Sequence, residues 1–341
     1  MLPHPPSFPA SHGQLGKRFL IACLIVFVGI LCMMDSLASE PVRVIFDTDI
    51  SSDVDDAGAV AVLHALANRG EVEILAMMVS SGDPWSAHCL HAYNHRYGRA
   101  AIPVGAVRGS SVVHDSKYTM AIAGTVPRQQ SELGPVPDAV TLYRQILAAQ
   151  ADGSVTVISV GYLTNLARLL ESPADAFCPL DGLALVRQKV RQFVCMGGEF
   201  PFGREWNFYQ DASAARLVVK KWPTPVVFAG FEVGREVLTG ARLVQGNPGD
   251  PVRKSYELYN NLTNRSSWDQ VAVLFGVAGK LDGLFAVSAP GCNIVEADGS
   301  NHWEGNGGCQ HSFVKISPAS IPVLREQIDT LMLAAANAPM P

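Results

Sequence analysis

The chain carries no run of basic residues and its formal net charge is −5, so it lacks the electrostatic footprint of a nucleic-acid-binding protein. It has no Cys-x-x-Cys pair, which leaves a zinc site of that type unsupported. Neither an internal repeat nor a linker-like stretch is visible, so one domain is expected from residue 39 to residue 341. Charged residues are few, at 17% against 48% hydrophobic, which suits a globular protein with a large core. The length of 341 residues allows one large α/β domain or two ordinary ones.

A long apolar span is also missing. Phe19 to Met34 is apolar and follows Lys17 and Arg18, but it is short for a membrane crossing of roughly 20 residues. With Ser36-Leu37-Ala38 behind it, this segment reads as a signal peptide over residues 1–38, cut after Ala38. A periplasmic or secreted protein with no stable membrane anchor after cleavage is expected. A lipoprotein anchor fits less well, because Cys23 lies too close to Arg18 to follow an apolar core. Cys89, Cys178, Cys195, Cys292 and Cys309 remain after cleavage. Cys292 and Cys309 bracket a Gly-rich loop at a spacing that permits a disulfide, and the odd count leaves at least one thiol free or paired between chains.

What the chain does have is a cluster of acids. Val42–Phe46 is an apolar run, and Asp47, Asp49, Asp53, Asp55 and Asp56 follow within ten residues. Ala57, Val60, Ala61 and Ala65 then recur at helical spacing, with Asp53 as the candidate cap. Further apolar runs alternate with helical patterns to the C-terminus. The expected fold is α/β, an open and mostly parallel sheet with helices on both faces. Residues 109–137 form a long Gly-, Ser- and Pro-containing loop, a length that often marks a lid. The segment 290–316 reads as an antiparallel edge hairpin.

Open α/β sheets bind ligands at the carboxyl ends of their strands, where these acids lie. Carboxylates about 4 Å apart repel by roughly 4 kcal/mol at an effective dielectric of ~20. Such a group needs a cation or raised pKa values, and oxygen ligands without thiolates favour calcium or magnesium. Complementing a helix dipole explains Asp53, Asp55 and Asp56 but leaves Asp47 and Asp49 unexplained. An EF-hand is excluded, since the sixth and twelfth positions from Asp47 are Ser52 and Gly58. Asp47-Thr48-Asp49 also resembles the nucleophile motif of haloacid-dehalogenase-like phosphatases, which would leave Asp55 and Asp56 unexplained.

The stretch Asp47-Thr48-Asp49-Ile50-Ser51-Ser52-Asp53-Val54-Asp55-Asp56-Ala57 resembles the opening motif Asp-x-Asp-x-Gly-x-Asp-Asp-Ala of the inosine-uridine-preferring nucleoside hydrolase family. Ser51 replaces the Gly, and two extra residues precede the paired acids. Gly161-Tyr162-Leu163-Thr164-Asn165 is similar to the family's Gly-Leu-Thr-Asn segment. Met196-Gly197-Gly198 with Glu205-Trp206-Asn207, and then Trp268-Asp269, follow in the family's order.

The resemblance implies an enzyme hydrolysing the N-glycosidic bond of ribonucleosides, with Ca2+ held by Asp49, Asp56, Asp269 and the backbone carbonyl of Val160. It implies Asp49 as general base toward water, and Asp55, Glu205 and Asn207 on the sugar hydroxyls, with Asp47 bracing the ligands. Many members place a His before the late Asp; here it is Trp268. The usual Asn after the second strand is Asp83. Both changes resemble the purine-preferring branch, in which Trp268 would stack on the base and Asp83 would contact it. Trp85, His114, Tyr118 and Trp206 are further candidates for the base pocket. The family's Asn for the 5′-hydroxyl has no match, because the loop between Gly198 and Glu205 is shorter here. A small nucleoside or related riboside is the expected partner, with a homo-oligomeric assembly. A binding protein without turnover on the same fold, and a metal-dependent phosphatase, are the alternative readings.

Overall fold

Near-continuous apolar strands separated by amphipathic helices are the pattern of a parallel sheet covered on both sides. The structure is a computed structural model describing residues 40–126 and 135–337, together with residues 1, 3 and 4. The rest of the expected signal peptide and residues 127–134 of the long loop lie outside the described residues.

The strands are β1 (Val42–Thr48), β2 (Val72–Val79), β3 (Val104–Ala106), β4 (Val155–Ser159), β5 (Val190–Met196), β6 (Phe202–Gly203), β7 (Val226–Ala229), β8 (Leu238–Thr239), β9 (Arg265–Ser266), β10 (Phe285–Val287), β11 (Cys292–Val295), β12 (Asn301–Glu304) and β13 (His311–Ile316). Eight of them form the main sheet in the order β10-β13-β7-β5-β4-β1-β2-β3. Every pairing in it is parallel except that of β10 with β13 at one edge.

Side chains alternate across a strand. Val44 and Phe46 accordingly enter one buried cluster with Ile158 and Val194, while Ile45 enters another with Val157 and Phe193. Helices therefore cover both faces, and the polar carboxyl ends of β1, β4 and β5 emerge together at one edge of the layers. That edge carries the site.

Local differences from the sequence reading have physical causes. The helix Asp55–Asn68 starts without a side-chain cap, Val54 being its boundary residue. Asp53 instead accepts the adjacent Val54 N–H and pairs with Arg265, so it does not cap this helix. Asp138 and Asp211 do cap theirs, through Thr141 N and Ala214 N. The helix Pro251–Asn260 starts where Asp250 caps it and Pro251 opens it. Arg265–Ser266 form a short strand, β9, just before the helix Trp268–Ala278. The C-terminal hairpin β11–β12 lies in a separate sheet with β6, while β13 joins the main sheet. Cys292 and Cys309 are joined by a disulfide, and Cys89, Cys178 and Cys195 are free and buried. Among the described residues, no helix is long and apolar enough to cross a membrane.

Candidate active site

Strand β1 ends by delivering Asp47 and Asp49, and the next helix begins with Asp55 and Asp56 in its first turn. Helix Trp268–Ala278 packs against that helix and brings Asp269, also in its first turn. Asp55, Asp56 and Asp269 are all buried, and each offers an oxygen within 4.8 Å of the other two. Three carboxylates so close fit a hard divalent cation with oxygen ligands. The sequence reading put Asp49 in this set and assigned Asp55 to the sugar. The geometry groups Asp55 with Asp56 and Asp269 and leaves Asp49 beside them.

A cavity of about 510 Å³ opens over these acids. Asp49, Asp55, Asp56, Val160, Glu205 and Asn207 line it, as do Trp268 and Asp269. Burial pushes the Asp49 carboxyl up to about 7, against the opposing influence of the Tyr162 hydroxyl. The carboxyls of Asp55, Asp56 and Asp269 are pushed well above the ordinary range, by burial first and then by the neighbouring acids. The Thr48 hydroxyl donates to Asp56, and the Asp269 N–H donates to Asp55 at 3.3 Å.

Asp47 lies behind the cavity. It is fully buried, and its carboxylate accepts from Tyr143 at 2.9 Å and from Asn165 at 3.2 and 3.3 Å. Burial lifts it to about 7. A carboxylate so enclosed is a poor nucleophile for a phosphoryl group, which argues against the phosphatase reading. Its place on the strand just before Asp49 suits bracing.

Glu205 caps the short helix Trp206–Gln210 and accepts from the backbone N–H groups of Gly198, Asn207 and Phe208 at 2.7–3.1 Å. Burial nevertheless raises it to about 7. Asn207 donates through Nδ2 to the carbonyl of Val160 at 3.2 Å and to that of Met196 at 3.3 Å. It therefore holds the carbonyl expected to face the ion.

Three expected residues stand elsewhere. Asp83 is not among the cavity-lining residues; its carboxylate accepts Trp85 N–H at 3.1 Å and the Ser86 hydroxyl at 3.0 Å, which fastens the start of the helix Ser86–Arg96. Trp85 is also absent from the lining. Tyr118 is buried, and its hydroxyl donates to the Asp53 carbonyl at 2.7 Å. Trp268 does line the cavity, but its ring is stacked on Phe231 at 5.3 Å and its Nε1–H donates to the Phe231 carbonyl at 2.7 Å.

His114 and Trp206 lie against one another at 5.2 Å on the lining, and Trp206 stays 42% exposed. Sequence reasoning missed Arg265, Phe231, Met196 and Asp115 on the lining. Met196 entered only as the start of the Met-Gly-Gly segment, and the one signal at Arg265 was a cation just before the late Asp.

Fold and site together define an α/β protein with an acid-walled cavity at the carboxyl ends of its parallel strands. Residues 44–282 match the family described as inosine-uridine preferring nucleoside hydrolase, and the chain belongs to that family. It is 28% identical over 203 residues to the pyrimidine-specific ribonucleoside hydrolase RihA of Photobacterium profundum, covering 56% of this chain. The match spans 60% of that relative's length. The inosine-uridine preferring nucleoside hydrolase of Bacillus anthracis superposes with a TM-score of 0.64 at 19% identity, covering 86% of this chain and 99% of the other. An inosine-guanosine nucleoside hydrolase gives 0.62 at 19% identity over 86% and 98% of the two chains. These likenesses establish the fold.

Proposed function

We propose that this protein hydrolyses the N-glycosidic bond of ribonucleosides with the help of a divalent cation, Ca2+ by preference. The observation that carries this reading is the buried group Asp55, Asp56 and Asp269 at the floor of the cavity with Asp49 beside it. Asp55, Asp56 and Asp269 would hold the ion, with Val160 offering its carbonyl. When bound, the ion would orient the ribose 2′- and 3′-hydroxyls and make a water easier to deprotonate.

Asp49 takes the proton from the attacking water. Its carboxyl, lifted to about 7, is matched to a proton acceptor working near neutrality. Positive charge grows on the sugar as the bond to the base lengthens, and the surrounding carboxylates stabilise it. Glu205 spends its oxygens on backbone donors, so it shapes the loop that carries Asn207 rather than reaching freely for the sugar.

The purine preference expected from Trp268 and Asp83 loses its two supports, since Trp268 is stacked on Phe231 and Asp83 fastens a helix. The exposed Trp206 ring, held at a tilt against His114, offers the base an aromatic face instead, and such stacking accepts purines and pyrimidines alike. RihA of Photobacterium profundum is named for pyrimidines. Export through residues 1–38 and a homo-oligomeric state complete the proposal.

The test is to incubate the protein with calcium and a panel of nucleosides and to assay free base and reducing sugar. Release from at least one nucleoside, abolished by a chelator, is expected. Retained binding without release would turn the reading into that of a binding protein.

A further inference from the structure

Arg265 is the one Lys or Arg among the described cavity-lining side chains, facing a wall with seven carboxyl groups. It sits on β9, where Thr239 of β8 pairs with it. Asp53 accepts from Arg265 Nε at 3.0 and 3.2 Å and from Nη2 at 2.5 Å. Among the described residues no acceptor takes Nη1. The guanidinium carbon lies 5.0 Å from the centre of the Trp268 ring. The fork is thus fixed by a carboxylate on one edge and rests on an indole, with one nitrogen uncommitted.

Depth says which part of a substrate it meets. The carboxylates of Asp55, Asp56 and Asp269 are 3–4% exposed, whereas the Arg265 side chain is 34% exposed at the rim. A ribonucleoside whose hydroxyls reach the deep acids leaves its base at the rim.

We propose that Arg265 is a further catalytic residue, donating through Nη1 to the departing base. The inference rests on the ribonucleoside hydrolase reading above. As the C1′–N bond breaks, its electron pair goes to the base. The water oxygen forms the new bond to C1′ and gives one proton to Asp49, and the base takes its proton from solvent. The guanidinium stays protonated throughout and stabilises the base anion rather than protonating it. Asp53 is the positioning residue for this fork, which gives a task to the acid contributed by the lengthened first motif.

The test is a series of ribosides whose leaving groups run from p-nitrophenol, stable as an anion, to uracil and hypoxanthine. In Arg265→Lys, which keeps the charge beside Asp53, and in Arg265→Met, the preference in kcat/KM for the p-nitrophenyl riboside over the nucleosides should rise by about 100-fold, the effect of losing one donor aimed at developing charge. An equal loss along the whole series would overturn the proposal.

A second readout needs no turnover. Ultraviolet titration of xanthine bound to the protein should show its ionisation at lower pH with the parent chain than with Arg265→Met. Identical titrations would overturn the role of Arg265. Should the parent chain cleave neither nucleosides nor the p-nitrophenyl riboside, the hydrolase reading fails, and the xanthine titration still decides whether Arg265 stabilises a base anion.

Discussion

Compared at each pH with the chelated protein, calcium should stabilise this protein more and more as pH rises from about 4.5 to about 7.5. Asp47 and Asp49 are lifted by burial from 3.8 to about 7, and Glu205 from 4.5 to about 7. A carboxyl raised on folding binds its proton more tightly in the folded state. Its contribution is fully present below the unfolded value and is lost as pH climbs through the folded one. A lift of this size corresponds to roughly 4 kcal/mol for one group at 1.36 kcal/mol per unit. Relaxation and water entry reduce such costs, so a gap of about 2–4 kcal/mol between the calcium-loaded and chelated protein is expected to open, or about 3–6 °C in Tm for a chain of this size. Asp152, Asp175, Asp298 and Glu326 have depressed values and act in the opposite sense below their unfolded values. His64, His91 and His311, lowered by burial from 6.5 to about 3, 4 and 4, also favour the folded state as pH climbs to 6.5, but they do so with and without calcium, so the comparison at each pH cancels them. The assay is calorimetric melting in chelator across this window, repeated with excess calcium. A calcium-induced rise in melting temperature that stays flat or shrinks as pH climbs would refute the reasoning.

The roles within the acid cluster separate by mutation. Asp49→Ala should lower kcat/KM by about 10³ or more while calcium affinity, read by calorimetry, changes much less, whereas Asp55→Ala should weaken calcium directly. Gly161→Ala would set a Cβ 2.3 Å from the Asp49 backbone nitrogen, so it should cost about 100-fold in kcat with the base displaced rather than removed. Trp206→Ala should raise KM for nucleosides, because it removes a stacking surface of about 1–3 kcal/mol. Trp268→Ala, which strips the stack on Phe231, should lower Tm as well as activity, and a rise in KM at unchanged Tm would contradict that placement.

Much of this was legible in the sequence, because strand–carboxylate–helix order is a local signal. Val42–Phe46 predicted β1, and the acids after it predicted a site at the carboxyl end. Asp269 was reachable only through the motif resemblance, since nothing near residue 269 announces a partner 213 positions earlier. Which acids meet was not legible. Asp55 and Asp56 are adjacent in sequence, and whether both or one joins Asp49 depends on helix rotation. Asp83 and Trp268 were misread for a related reason: a motif gives the residue but not what its neighbours have already taken. Trp85 N–H and the Ser86 hydroxyl occupy Asp83, and Phe231, from an element the sequence did not reveal, occupies Trp268.

The cluster poses an energetic problem that the fold alone does not solve. At 4.8 Å and an effective dielectric of ~20, two ionised carboxylates repel by about 3.5 kcal/mol, so three of them cost on the order of 10 kcal/mol when all are charged. The N-termini of the helices Asp55–Asn68 and Trp268–Ala278 both face the group, and each favours negative charge by at most ~2 kcal/mol. That offsets less than half. The remaining choices are protons or a cation, and the protons are lost as pH passes the raised carboxyl values.

The two helices nevertheless pack directly on one another. Any Cβ at Gly58 would fall 2.3 Å from Gln270 Nε2 and 2.7 Å from the Tyr256 hydroxyl, which are hydrogen-bonded to each other at 2.9 Å. Gly58 thus permits the approach that sets Asp269 beside Asp55 and Asp56. A side chain there would have to push aside the buried Gln270–Tyr256 pair, so Gly58→Ala should lower stability and disturb the placement of Asp269. The close cluster is thus supported by packing while its charge is left unanswered, and carboxylate oxygens of that charge suit the divalent cation proposed above.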